Sequence, residues 1–208
     1  MAGTLMGQGI NVLLNLFFGP TVNAARGLAV QVQSAVHMFA TNFQMAMNPQ
    51  IMKTYASGEI NAMHLLVFRS AKFTFMLLLC IMLPLAVEID TVLGIWLKEV
   101  PVYTNIFVCL MLVICMIDSV SNPFMTAAAA TGKVKIYQSM IGGILISIVP
   151  IAYIVLKLGG NPYSVFYVHI VVGLIAYTAR LLIVRGLIKL SIREYIANVI
   201  IPCVLVLL

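Results

Sequence analysis

The sequence predicts an all-α fold: a polytopic membrane helical bundle of about six transmembrane helices plus the start of a seventh. Three observations carry this prediction. Of the 208 residues, 62% are hydrophobic and only 9% charged, and the mean hydropathy is +1.10, outside the range of soluble domains. The apolar residues fall into runs close to the ~20 residues that cross a bilayer. Short Pro-, Gly- or charge-marked turns separate the runs, with no linker, so residues 1–208 form one unit whose successive helices are antiparallel neighbours. No length is left for a soluble catalytic domain.

The first run, residues 4–19, gives roughly 24 Å of helix against a hydrocarbon core of about 30 Å. Gly19-Pro20 closes it. The second, residues 24–48, is expected to end at Asn48-Pro49, because proline lacks an amide donor and biases the residue before it away from helical angles. Ser57-Gly58-Glu59 then leads to a third run, 66–87. The fourth covers 103–130, the fifth 136–156, and the sixth 162–184, entered through Gly159-Gly160-Asn161-Pro162. A last run begins near 195. Met1 to Met6 carry no charge, unlike the basic opening of a cleavable signal peptide, and the end is the apolar Leu205-Val206-Leu207-Leu208. The chain therefore reads as a piece of a larger protein, truncated at both ends.

Twelve Lys and Arg against six Asp and Glu give a net charge of +6. The basic residues lie in short clusters between apolar runs, with no aromatic-interleaved patch, so nucleic acid is not an expected partner. Counted on alternate sides, Lys53, Arg69, Lys72, Lys133, Lys135, Arg180, Arg185, Lys189 and Arg193 face Arg26, Lys98 and Lys157, nine against three. The richer side is expected to be cytoplasmic, with the N-terminus of the chain on it. Glu88, Asp90, Glu99 and Trp96 then mark the outer interface, and Tyr163 and Tyr167 an aromatic belt.

Cys80, Cys109, Cys115 and Cys203 sit within apolar runs without CxxC spacing, and His37, His64 and His169 are scattered, so neither disulfide nor metal is predicted. No nucleotide loop, no GxSxG and no pair of carboxylates at catalytic separation is present. No catalytic residue and no cofactor are expected. Gly3 with Gly7, Gly143 with Ser147, and Ala127 to Ala130 read as close-packing surfaces.

Polar residues inside the spans are the informative feature. In the second run Arg26, Ser34, His37, Thr41, Gln44 and Asn48 share one helical face, with Gln31 close to it. The first run presents Thr4, Gln8, Asn11 and Asn15 in the same way. Hydrocarbon offers these groups no hydrogen-bond partner, so they must face protein or water. Two readings stay open: interhelical hydrogen-bond glue, or the wall of a hydrated cavity. The number of long amides, Gln33 and Asn42 included, favours the cavity. Asp118 is an acid near the middle of a span, where desolvation favours its neutral form, and is a functional candidate by default. Pro123, one residue beyond Asn122, is expected to free backbone carbonyls able to bind a cation. Arg26, Arg69, Lys72 and Arg180 lie close enough to the surface to snorkel; turned inward, they would suit a phosphate.

The stretch Gly7 to Val36, GQGINVLLNLFFGPTVNAARGLAVQVQSAV, followed by NFQMAMNPQIMKTYASGE at Asn42 to Glu59, closely resembles bacterial polysaccharide-biosynthesis membrane proteins of the Wzx type. These are lipid-linked oligosaccharide flippases of the MATE-like, or MOP, exporter superfamily. DSVSNPFMTAAAATGKVKIYQ at Asp118 to Gln138 and RLLIVRGLIKLSI at Arg180 to Ile192 fit as well. The resemblance implies the C-terminal of two lobes around a central cavity, with the N-terminal lobe of the same protein as its partner. It implies alternating-access export of an undecaprenyl-diphosphate-linked repeat unit for O-antigen or capsule synthesis across the bacterial inner membrane, among membrane lipid, with proton or Na+ coupling. The resemblance carries over no universal motif, so the polar-stripe argument selects the residues: Gln8, Asn11, Asn15, Arg26, Gln31, Ser34, His37, Thr41, Gln44, Asn48 and Arg180 are the expected cavity residues, and Asp118 and Asn122 the coupling-ion candidates. A cation-coupled multidrug antiporter of the same superfamily and a non-transporting assembly subunit are the alternatives.

Overall fold

The computed structural model describes residues 2–207, and among them there are helices and turns but no strand. Met1 and Leu208, which entered the reading of the chain ends, lie outside the described residues. The elements are α1 (Ala2–Phe18), α2 (Pro20–Ala56), α3 (Ile60–Val87), a short α4 (Ile89–Trp96), α5 (Thr104–Ala130), α6 (Val134–Ile146), α7 (Ile148–Lys157), α8 (Ser164–Ile188), α9 (Ile192–Tyr195), a π-helical turn (Ile196–Ile200) and α10 (Ile201–Leu207). Four segments are long and apolar enough to cross a membrane: α3, α5, α6 with α7, and α8. This is an all-α membrane protein. Its α1 has 17 residues, and the 37-residue α2 carries the polar stripe.

Gly19 alone separates α1 from α2. Its φ of 82° and ψ of −178° fall in a region open essentially to glycine, and Pro20 begins the next helix where its missing amide costs nothing. Gly58, with φ 79°, turns the chain between α2 and α3.

The expected stop at Asn48-Pro49 does not occur: α2 continues through Pro49 to Ala56. A proline inside a helix costs about 3 kcal/mol, which tertiary packing can outweigh. Here Ile51 is fully buried in the core beyond the proline, and Thr54 Oγ1 donates to the carbonyls of Gln50 and Ile51 at 3.0 Å each. Pro84 and Pro123 are likewise inside α3 and α5. The expected single run 136–156 is instead two helices. Pro150 offers no amide to the Ile146 carbonyl, and at the junction Ser147 Oγ donates to Ile144 O at 2.6 Å. Residues 89–96, read from sequence as an interfacial stretch, wind into α4 with Ile89 and Leu93 buried one turn apart.

Helix α5 is central, packed against α2, α3 and α8. One apolar cluster joins Ile51 of α2 and the inward face of α3 from Met63 to Leu79 to Phe124, Tyr137, Val184 and Tyr195. A second joins the first half of α2, the end of α3 and α4 to Phe107 and Phe166. The third seats α1 on α7 and α8 through Leu14, Ile148 and Val165. Ala127 and Ala128 are fully buried, as close packing requires. Among the described residues the glycine pairs do not form such contacts: no heavy atom approaches within 4 Å of a Cβ placed at Gly3, Gly7 or Gly143. The close contact of α1 is at Gly9, where an added Cβ would lie 2.7 Å from Val149 Cγ2.

Candidate functional site: the polar faces of the hairpin and the central ion pair

The one-residue turn at Gly19 folds α1 back along α2 and brings Asn11 opposite Arg26. Arg26 is only 7% exposed. Its Nη1 donates to Asn11 Oδ1, and its buried Nε has no partner. Arg26 therefore points into the bundle and does not snorkel, because the neighbouring helix supplies an amide acceptor at that depth. Asn11 Nδ2 also reaches Gln8 Oε1 at 3.4 Å.

Farther along α2 the stripe divides. Gln44 is buried, and its Nε2 donates to the backbone carbonyl of Ser119 at 3.1 Å. That carbonyl lies four residues before Pro123 and so lacks its usual helical amide partner. The acceptor expected to be available for a cation is thus occupied by Gln44. Asn48 Oδ1 accepts from Thr126 Oγ1 at 2.8 Å, again bridging α2 and α5. His37 Nδ1 lies 3.6 Å from Cys115 Sγ, and Thr41 Oγ1 turns back to its own helix at His37 O. For Gln44 and Asn48 the interhelical-glue reading describes the geometry.

Gln8 and Asn15 on α1, and Gln31 and Ser34 on α2, are exposed. Asn11, His37, Thr41 and Asn48 are half-buried. One flank of the stripe is therefore packed against α5, and the other is left uncovered by the described residues.

Asp118 is not a solitary acid. Arg180 of α8 places Nη1 3.6 Å from its Oδ1, with the arginine side chain 13% exposed and the aspartate 42%. A guanidinium from the neighbouring helix therefore lies against the acid that the sequence left without a named partner. Arg180 and Asn122 line a cavity of about 250 Å³, together with Ser121, Tyr137 and Gln138. Arg180 Nε is buried and unpartnered beside it. This pocket offers hydroxyl, amide and guanidinium donors, a chemistry suited to sugar hydroxyls or an anion.

Sequence reasoning missed Ser121, Tyr137, Gln138 and His169. His169 lies on α8 in the field of both Asp118 and Arg26. Its signal was present in the spacing, since His169 and Arg180 are three helical turns apart and share a face. Tyr137 carries no such mark, as a lone aromatic at a helix start reads as core. Among the described residues no three His, Cys, Asp or Glu side chains converge as metal ligands. In comparison with known proteins, the chain matches no family model, no curated protein and no solved structure.

Proposed function

We propose that this chain is one lobe of a lipid-linked oligosaccharide flippase in the bacterial inner membrane, acting in polysaccharide synthesis with a second lobe set against its α1–α2 face. The observation that carries the reading is the uncovered amide and hydroxyl flank formed by Gln8, Asn15, Gln31 and Ser34. Each such group left in hydrocarbon costs several kcal/mol, roughly, so lipid is the least suitable neighbour for that flank. A hydrated passage between two lobes satisfies it. The polyprenyl tail stays in lipid while the sugars exchange water for these side chains, and Arg180 and the donors around Asn122 meet the diphosphate. A proton or Na+ competing with Arg180 for Asp118 supplies the coupling step, and the basic end of the bundle faces the cytoplasm.

The test is substrate protection in proteoliposomes. Single cysteines replace Gln31 and Ser34, and lipid-facing Ile154 and Leu174, in a background without the native cysteines. A membrane-impermeant maleimide is expected to label the first pair and not the second. Undecaprenyl-diphosphate oligosaccharide should slow that labelling, and undecaprenyl phosphate should not. Protection by small amphipathic cations alone would favour the antiporter reading, and no labelling at Gln31 or Ser34 would remove the passage altogether.

A further inference from the structure

A groove of about 640 Å³ separates α3 from the segment α9 to α10, far from the hairpin's polar flank in the chain. Its α3 wall is a single helical stripe: Asn61, His64, Leu65, Phe68, Arg69, Lys72 and Phe73 recur at steps of three, four and one. Glu194 and Asn198, one turn apart, form the other wall. The walls are held in place. His64 Nε2 donates to the carbonyl of Ile188, near the end of α8, at 2.9 Å. Phe68 packs on Tyr195 with ring centroids 5.7 Å apart, and the Tyr195 oxygen accepts from Tyr177 at 3.0 Å. The groove wall then passes into the π-helical turn, a local rearrangement frequent at functional sites, in which Ile201 N–H bonds back to Ile196 O.

Among the described residues neither Arg69 nor Lys72 has a carboxylate within 4.0 Å, although Glu194 lines the same groove. One acid against two cations leaves the groove one positive charge, the complement of a single phosphodiester. Glu194, with no cation to neutralise it, remains an acceptor for ligand hydroxyls, alongside the Asn61 and Asn198 amides. Depth is also decisive. The 28 residues of α3 measure roughly 42 Å, so a hydrocarbon core of about 30 Å counted back from Val87 ends near Phe68. Arg69 then sits at the edge of the core and Lys72 about 6 Å inside it, a depth from which their long side chains reach the headgroup level by snorkelling. Leu65 and Phe73, 48% and 51% exposed, give the same groove an apolar border.

The geometry points to a binding site for an anionic phospholipid with a polyol headgroup, of the phosphatidylglycerol type: Arg69 and Lys72 on the phosphodiester, Glu194 and Asn198 on the headgroup hydroxyls, Leu65 and Phe73 against the glyceride stem. Basic pockets between helices at a membrane face recognise phospholipid heads in this manner. The site does not depend on the transport reading and stands or falls separately from it.

Native mass spectrometry of the whole chain released from nanodiscs tests the site. With mixed phosphatidylglycerol and phosphatidylcholine, one phosphatidylglycerol is expected to stay bound, and Arg69→Gln with Lys72→Gln should weaken it roughly thirtyfold, from two cations near a surface. The charge-matched pair Lys133→Gln and Lys135→Gln at the α5–α6 turn should leave it unchanged. Phosphatidylethanol, an equally charged phosphodiester without headgroup hydroxyls, should bind more weakly than phosphatidylglycerol, and Glu194→Ala should abolish that preference. Equal losses from both lysine and arginine pairs, indifference to headgroup hydroxyls, or displacement by soluble glycerol 3-phosphate at the same concentration would overturn the proposal. The Glu194→Ala arm remains decisive if the double variant fails to fold.

Discussion

The bond from Gln44 to Ser119 provides a quantitative check on how the bundle core is held. Gln44 is 6% exposed and Ser119 fully buried, and the acceptor exists because residue 123 is a proline. Gln44→Leu keeps most of the side-chain volume but leaves a buried carbonyl without any donor. An unsatisfied buried group costs about 1–3 kcal/mol in soluble proteins, whereas side-chain bonds within membrane bundles average about 0.6 and reach about 1.7. The expected destabilisation is therefore about 1–2 kcal/mol. Pro123→Ala returns an amide to position 123, which can bond Ser119 O along the helix, so Gln44→Leu in that background should cost about 0.5 kcal/mol or less. The coupling between the sites is then about 1 kcal/mol. Reversible unfolding by SDS titration in mixed micelles, run on both single variants and the double variant, measures it. Additivity within the usual scatter of about 0.3–0.5 kcal/mol would refute the claim that Gln44 caps the carbonyl that the proline releases.

Two further expectations use the same assay. Gly9→Ala should cost about 1–3 kcal/mol, since its Cβ would press on Val149, while Gly7→Ala, in open space, should be neutral or stabilising by up to about 1 kcal/mol; equal effects would contradict the packing of α1 on α7. Asp118→Asn should destabilise the wild type because Arg180 loses its counter-charge, yet have little effect alongside Arg180→Gln. With the aspartate 42% exposed, the coupling should be only about 0.5–1 kcal/mol, and an unchanged cost in both backgrounds would dissolve the pair.

Four of the expected spans, those of α3, α5, α6 with α7, and α8, were legible because run length and hydropathy answer directly to bilayer thickness. Where local rules set the expectation, tertiary contacts prevailed. Pro49 should have ended α2, but Ile51 and the Thr54 hydroxyl hold the helix beyond it. Residues 89–96 were too short for a span signal, although Ile89 and Leu93 sit one turn apart and suffice to dock a short helix. The glycines of α1 announced a close approach without locating it. Gly3, Gly7 and Gly9 look alike in sequence, and only the position of Val149 selects Gly9.

For the site, helical spacing gave the angular sector of each polar residue but not its neighbour. Spacing assigned Arg26 to a helical face, yet its partner there is Asn11 across the hairpin; Asp118 was singled out without Arg180 beside it. The consequence is sharpest on α2, which meets two environments within one stripe. At Gln44 and Asn48 the helix pairs its amides with α5 at 3.1 and 2.8 Å, so this sequence can satisfy polar groups internally where a partner helix is present. At Gln31 and Ser34 no described helix covers the side chain, whereas the exposed middle of α8 carries the apolar Val171, Leu174, Ile175 and Leu182, and its one exposed polar residue there, Thr178, turns its hydroxyl back to the Ile175 carbonyl at 2.8 Å. A helix bathed in lipid on that side has no reason to carry an amide and a hydroxyl one turn apart, because each raises the free energy of the membrane-inserted state. The contrast between the α2 flank and the α8 face therefore points to water or a second protein surface against the hairpin, and lipid against α8.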